Sequence, residues 1–340
     1  MRANTATALS PQAALYGSER ALPLLPACVH YAGSERFIRK ALALQAERGP
    51  VFDIACDCED GAPVGAEREH ARALAALIAG ADNRFDRVGA RIHDVRHPRW
   101  RDELEILVGE AGDRLAFVTV PKVESAGDVG RVLEALALQD ARRGLGREIP
   151  VSVLVETHGA VHDAWAIAAL PGVVSLDFGT LDFVSAHAGA IPVAAMESPG
   201  QFEHPLVRRA KCETAAAALA HARIPAHGVT RAIDDPDVVF EDARRAREEF
   251  GFLRMWSIHP SQIDPIVRAM QPQAGEVAEA AAVLAAAQAI AWAPLAVAGR
   301  LHDRASYRYF WTVLQRARAA GAPIPAPAAA FFAPADPDGH

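Results

Sequence analysis

Residues 150–182 read PVSVLVETHGAVHDAWAIAALPGVVSLDFGTLD. Two short apolar runs, PVSVLVE (150–156) and VVSLDFG (173–179), each stop abruptly at polar, glycine-containing sequence. Runs that are apolar along their whole length predict strands buried on both faces, as in a parallel sheet. Parallel neighbours end at the same edge, so Glu156 and Asp182 are expected to aim at one point in space. Two convergent carboxylates on a rigid sheet suit a hard divalent cation.

The pattern repeats outward in both directions. Further strands are predicted at ALPLLPA (21–27), VFDIACD (51–57), VGARIH (88–93), LAFVTVPK (115–122), IPAHGVT (224–230) and RMWSIHP (254–260). Between them, EREHARALAALIAG (67–80), SAGDVGRVLEALALQDARR (125–143) and EDARRAREEFG (241–251) carry apolar residues at helical spacing. Such units recur at roughly 30 residues, the spacing of a strand-and-helix repeat. Eight of them over about 250 residues predict an α/β chain folded as a (β/α)8 TIM barrel with a C-terminal helical extension. No GxGxxG follows the first strand, which argues against a dinucleotide-binding sheet.

The expected organisation is an N-terminal arm over 1–20, a catalytic barrel over 21–265, a helical extension or lid over 266–321 and a Pro/Ala-rich tail over 322–340. The segment Gly200–Ala222 is longer than one crossover needs and reads as an insertion. A net charge of -7 with no Lys/Arg run excludes a nucleic-acid surface. The alanine-rich stretch Val277–Ala298 is broken by Glu279, Gln288 and Pro294, so it predicts a packed helix and no membrane span. Cys28, Cys56, Cys58 and Cys212 show no CxxC pair and read as reduced thiols. Without an export signal, the chain is expected in the cytoplasm.

In a parallel barrel, chemistry gathers at the carboxyl ends of the strands. There the sequence places Asp57, Glu59 and Asp60, then Arg91, Lys122, Glu156, Asp182 and His259. Helix capping accounts for one acid of the Asp57–Asp60 loop, not for all three. A guanidinium inside an apolar strand needs an anion, either a substrate carboxylate or the acids of that loop. Lys122 and His259 are read as rim residues or substrate contacts. The ligand set is all oxygen, which selects Mg²⁺, with Mn²⁺ as its substitute, over zinc.

These motifs resemble the HpcH/HpaI aldolase/citrate lyase family, most of all its citrate lyase β-subunit and malyl-CoA lyase branch. The resemblance runs from Leu22 to Asp303. Its carriers are Leu25-Pro26-Ala27, Asp57-Cys58-Glu59-Asp60 with Ala71-Arg72, Arg91 in ARIH, Pro121-Lys122-Val123-Glu124-Ser125, Glu156-Thr157 with Gly159, Phe178-Gly179 with Asp182, and Ile258-His259-Pro260 with Gln262. The chain departs from the family pattern at Pro26-Ala27 (usually PG), at Asp57-Cys58-Glu59-Asp60 (usually DLED), at His93-Asp94 (usually an asparagine), and at Ala226-His227-Gly228-Val229-Thr230, where an aspartate is common.

The resemblance implies Mg²⁺ on Glu156 and Asp182, and an α-keto acid carboxylate on Arg91. It also implies acid/base work by Asp303, contributed by a neighbouring subunit of a homotrimer or hexamer. The implied activity is cleavage or formation of a β-hydroxy acid, or of its acyl-CoA thioester, by retro-Claisen or aldol chemistry. Alternatives on the same scaffold are a thioester hydrolase, a pyruvate-releasing class II aldolase, and a catalytically silent relative that binds a keto acid.

Overall fold

The computed structural model describes residues 9–332, apart from residues 18, 20, 21, 62 and 63. Among these, the residues of 25–270 form one compact unit and those of the two flanking stretches, 9–24 with 271–332, form another. In the first, eight parallel strands close into a barrel in sequence order. They are β1 (Cys28–Ala32), β2 (Phe52–Asp57), β3 (Val88–Arg91), β4 (Leu115–Val120), β5 (Val151–Val155), β6 (Val173–Phe178), β7 (Ile224–His227) and β8 (Arg254–Ser257).

Strand alternation explains both layers of the core. On β2, Ile54 and Cys56 join the apolar layer under the helices, while Ala55 faces the barrel axis with Val29, Phe117, Leu154, Ala226 and Trp256. A side chain on Gly89 would strike the Phe117 ring at 2.6 Å, so the glycine makes room for the aromatic that fills the axis. Trp256 donates its indole N–H to Asp177 at 2.7 Å, and Arg254 pairs with Asp53, so the charged groups inside the barrel have partners of opposite charge or hydrogen-bond donors. The same alternation turns Asp57 and Arg91 toward the mouth.

Seven of the predicted strands form as expected, and the first does not. Residues 22–26 are not in a strand, and β1 lies seven residues later than predicted, at Cys28–Ala32. Pro23 and Pro26 lack the N–H groups that a central strand requires. The true strand was masked by His30 and Tyr31, whose polar atoms are satisfied inside; His30 Nδ1 lies 2.9 Å from the Ser257 hydroxyl. The turn after strand one is therefore Ala32-Gly33, not Pro26-Ala27. The helix Pro205–Ala220 packs on β6 and β7 as an ordinary crossover, so the extra chain in this connection is the stretch before it, about the short turns Val193–Met196 and Gly200–Glu203.

The second unit is built on the helices Ala274–Ala289 and Arg304–Ala319, with a small antiparallel hairpin between them, β9 (Leu295–Val297) and β10 (Arg300–His302). Within the stretch expected as an arm, Pro11–Leu15 is helical and buries Leu15 beside Leu284 and Leu314. Phe331 and Phe332 lie against Trp311, and residues 333–340 of the expected tail fall outside the described residues. Among the described residues no helix is long and apolar enough to cross a membrane. Cys28, Cys56 and Cys58 are buried free thiols, and Cys212 is exposed.

Burial pulls the His30 imidazole down from 6.5 to about 4. The unfolded chain therefore binds a proton here that the folded chain refuses, and stability is lost as pH falls from 6.5 toward 4. At 3% exposure the shift corresponds to roughly 3 kcal/mol. Denaturant unfolding of wild type and His30→Asn across this range should show a shallower pH slope for the variant. Parallel slopes would contradict the assignment.

Candidate active site

The carboxyl ends of β2 to β6 bring the expected residues together. Asp57 and Arg91 are register partners at the last rungs of β2 and β3. The guanidinium grips Asp57 in a bidentate pair, Nε to Oδ1 at 2.8 Å and Nη2 to Oδ2 at 2.9 Å. Its Nη1 meets Glu59 at 2.8 Å, and exposed Asp60 lies 3.6 Å from Nη2. Lys122 pairs with Glu59 and reaches Asp60 at 3.3 Å. All three loop acids are thus ion-paired, and the alternative of an Arg91 salt bridge to that loop is realised.

Asp57 is fully buried and its carboxylate accepts three further hydrogen bonds besides those from Arg91: the Tyr31 hydroxyl at 2.8 Å, the Gly61 N–H at 2.8 Å and the Glu59 N–H at 3.0 Å complete a cage with the guanidinium. Burial alone would push its carboxyl up, but the Arg91 contacts outweigh it and hold the group below its ordinary range. Such a carboxylate orients a cation and makes a poor base. Glu59 behaves oppositely: burial pushes its carboxyl up despite Arg91 and Lys122. Lys122 and Arg91 both stay protonated, since their acidic neighbours outweigh the penalty of burial.

Glu156 and Asp182 stand apart from this network. Glu156 follows β5, is 3% exposed, and accepts the Lys122 backbone N–H at 2.8 Å. Asp182 is half-buried in the first turn of the helix Thr180–Ser185, after β6. Among the described residues neither carboxylate has an ion-pair partner. Burial, then the Asp182 charge, pushes the Glu156 carboxyl up from 4.5 to about 8. Two acids without ion-pair partners, repelling one another beside a loop whose acids are all paired, fit a bound divalent cation, which supplies the missing charge.

Local backbone choices hold this arrangement. A side chain at Gly179 would fall 2.5 Å from Glu156 Oε2, so only glycine leaves room for the carboxylate. Lys122 adopts φ +50°, a left-handed conformation uncommon outside glycine, which aims its N–H at Glu156. Thr157 caps the following helix through the Ala160 N–H at 2.9 Å and donates to the Val123 carbonyl at 2.6 Å.

Two expected site residues have local structural partners. His259 is exposed and caps the turn after β8 through Ser261, with its Nδ1 2.7 Å from that hydroxyl. Asp303 belongs to the second unit, where it is the exposed N-cap of the helix Arg304–Ala319, accepting from Ala305 and Ser306. Tyr31 was missed by sequence reasoning because its strand was placed too early. Its ring also lies under Arg91, 5.5 Å from the guanidinium carbon.

The family model described as HpcH/HpaI aldolase/citrate lyase matches residues 51–260. The chain belongs to this family, whose enzymes are carbon–carbon lyases. A malyl-CoA/β-methylmalyl-CoA/citramalyl-CoA lyase of Chloroflexus aurantiacus is 26% identical over 88% of this chain and 90% of its own length. A citrate lyase structure from Burkholderia xenovorans LB400 superposes with a TM-score of 0.85 at 49% identity, covering 96% of this chain and all of that one. The CitE protein of Mycobacterium tuberculosis, solved with magnesium, acetoacetate and coenzyme A, gives a TM-score of 0.66 at 25% identity, over 86% of this chain and 98% of that one.

Since the folded Glu156 carboxyl titrates above its ordinary 4.5, its ionised form costs stability that appears as pH rises from 4.5 through about 8. In metal-free protein at pH 9, Glu156→Gln should therefore melt several degrees above wild type, with the gap closing by pH 5. A destabilised variant at pH 9 would contradict the assigned environment.

Proposed function

We propose that this chain is a Mg²⁺-dependent carbon–carbon lyase that cleaves or forms a β-hydroxy acid, or its CoA thioester, with an α-keto acid as the partner fragment. The observation that carries the reading is the uncompensated pair Glu156 and Asp182 beside the acid-saturated Arg91. These two carboxylates would hold the cation, with Mn²⁺ as substitute. Bound there, it supplies Lewis acidity to a chelating hydroxy or keto acid and leaves coordination positions for that substrate.

The chain's own residues do the rest. Arg91 is already oriented by Asp57, which acts as a positioning residue. A substrate carboxylate reaches the guanidinium by displacing Asp60, the exposed and most distant of its acids at 3.6 Å. Lys122 spans Glu59 and Asp60 and supplies the positive charge that Asp60 would otherwise lose on moving. Glu59, raised by burial, is the loop acid suited to proton transfer at a carbon or oxygen near Arg91. Asp303 from a neighbouring subunit of a homotrimer or hexamer is the second proton-transfer candidate that the family resemblance implies, and His259 is a substrate contact at the rim.

The relatives support a thioester substrate: the Chloroflexus enzyme is named for CoA thioesters, and the Mycobacterium protein was solved with coenzyme A. The test is a screen of α-keto acids with and without acetyl-CoA, in Mg²⁺, following carbon–carbon bond formation and product identity. Wild type should form a β-hydroxyacyl product, and Glu156→Gln and Asp182→Asn should each lose more than about a hundredfold in rate. Release of free CoA without a new carbon–carbon bond would replace the lyase with the hydrolase. A fully active Glu156→Gln would remove the metal assignment.

A further inference from the structure

A second cluster lies beyond Arg91, in the connection between β3 and the helix Trp100–Ala111. His93 and His97 come from the loop and Glu103 from the helix. Glu103 is 0% exposed. Its Oε2 accepts the His93 backbone N–H at 3.0 Å, and its Oε1 lies 2.6 Å from His93 Nδ1. The His97 ring stacks on that of His93, with centroids 3.9 Å apart and planes 15° from parallel. One donor atom from each of the three lies within 4.8 Å of the other two.

The charge at this point is poorly balanced by the protein alone. Among the described residues the only ion-pair partner of Glu103 is His93, and no Arg or Lys reaches it. Two imidazolium rings about 4 Å apart would repel by about 4 kcal/mol, so the stacked pair does not protonate together and at most one ring balances Glu103 by taking a proton. A divalent cation engages all three groups at once, because it binds neutral imidazoles and the carboxylate together. Two imidazole nitrogens and one carboxylate oxygen are a zinc-type donor set, unlike the all-oxygen pair at Glu156 and Asp182. Zinc bonds of about 2.0–2.1 Å set ligand atoms about 3.3 Å apart. The half-buried His97 ring can close that gap, since among the described residues its Nδ1 is held only by a long 3.3 Å contact from the Arg99 N–H.

We propose that His93, His97 and Glu103 form a second cation site, selective for Zn²⁺ or a neighbouring late first-row divalent ion. A bound ion would tie the loop that follows Arg91 to the helix Trp100–Ala111. The site does not depend on the lyase reading, and its chemistry differs from that of the Glu156–Asp182 pair.

The test uses the full chain, stripped of metal and then saturated with Mg²⁺ so that the all-oxygen site is filled. Calorimetric titration with Zn²⁺ should show one ion per chain, with affinity at least tenfold weaker in His97→Ala and unchanged in Glu156→Gln. Titration of wild type with Co²⁺ should give the intense visible absorption of a tetrahedral ion, a readout that needs no variant to fold. Absence of stoichiometric Zn²⁺ binding, binding that His97→Ala leaves unchanged, or only the weak absorption of octahedral Co²⁺ would each overturn the proposal.

Discussion

The bidentate pair between Asp57 and Arg91 sets the electrostatics of the barrel mouth. A carboxylate with no exposure is tolerable there only because the register of β2 and β3 puts a guanidinium fork directly opposite it. Removing one partner of such a pair typically costs about 3–5 kcal/mol, because the other charge is left buried and alone. With Asp57 fixed, Arg91 extends to Glu59, and Lys122 closes the loop onto Glu59 and Asp60. The positive charges of the rim make their contacts on this side, and among the described residues Glu156 and Asp182 have no ion-pair partner. The division between compensated and uncompensated acids is what gives the mouth its direction.

Maintaining that division requires backbone that ordinary residues adopt reluctantly. Lys122 sits at φ +50° with its N–H on Glu156 while its ammonium turns to Glu59, so one residue serves both sides of the division. Gly179 yields its side-chain volume to Glu156. Strain and glycine at the ends of β4 and β6, the strands flanking β5, are the local cost of placing a charged oxygen in a pocket of packed β-strand ends.

Much of this was legible in the sequence, for identifiable reasons. Strands β2 to β8 are legible because burial on both faces makes them predominantly apolar, and the acids at their ends stand out against that background. The first strand was hidden because His30 and Tyr31 are polar in sequence but satisfied in place, while the proline-broken run before it looks more apolar. Tyr31 was lost with it. The sequence also showed that Asp57, Glu59, Asp60, Glu156 and Asp182 gather at one edge, yet could not say which of them Arg91 and Lys122 would neutralise. That partition depends on register and on a left-handed residue, neither of which leaves a compositional trace. The pairing of His93 and His97 with Glu103 was equally invisible, since it needs the helix to fold back on the loop.

The account rests on the cation belonging to the uncompensated acids and not to the loop that holds more of them. Anomalous diffraction from crystals grown with Mn²⁺ decides this directly. A peak is expected between the Glu156 and Asp182 carboxylates, with the Asp57–Arg91 pair intact. A peak within the Asp57–Asp60 loop, with Arg91 displaced from Asp57, would contradict it.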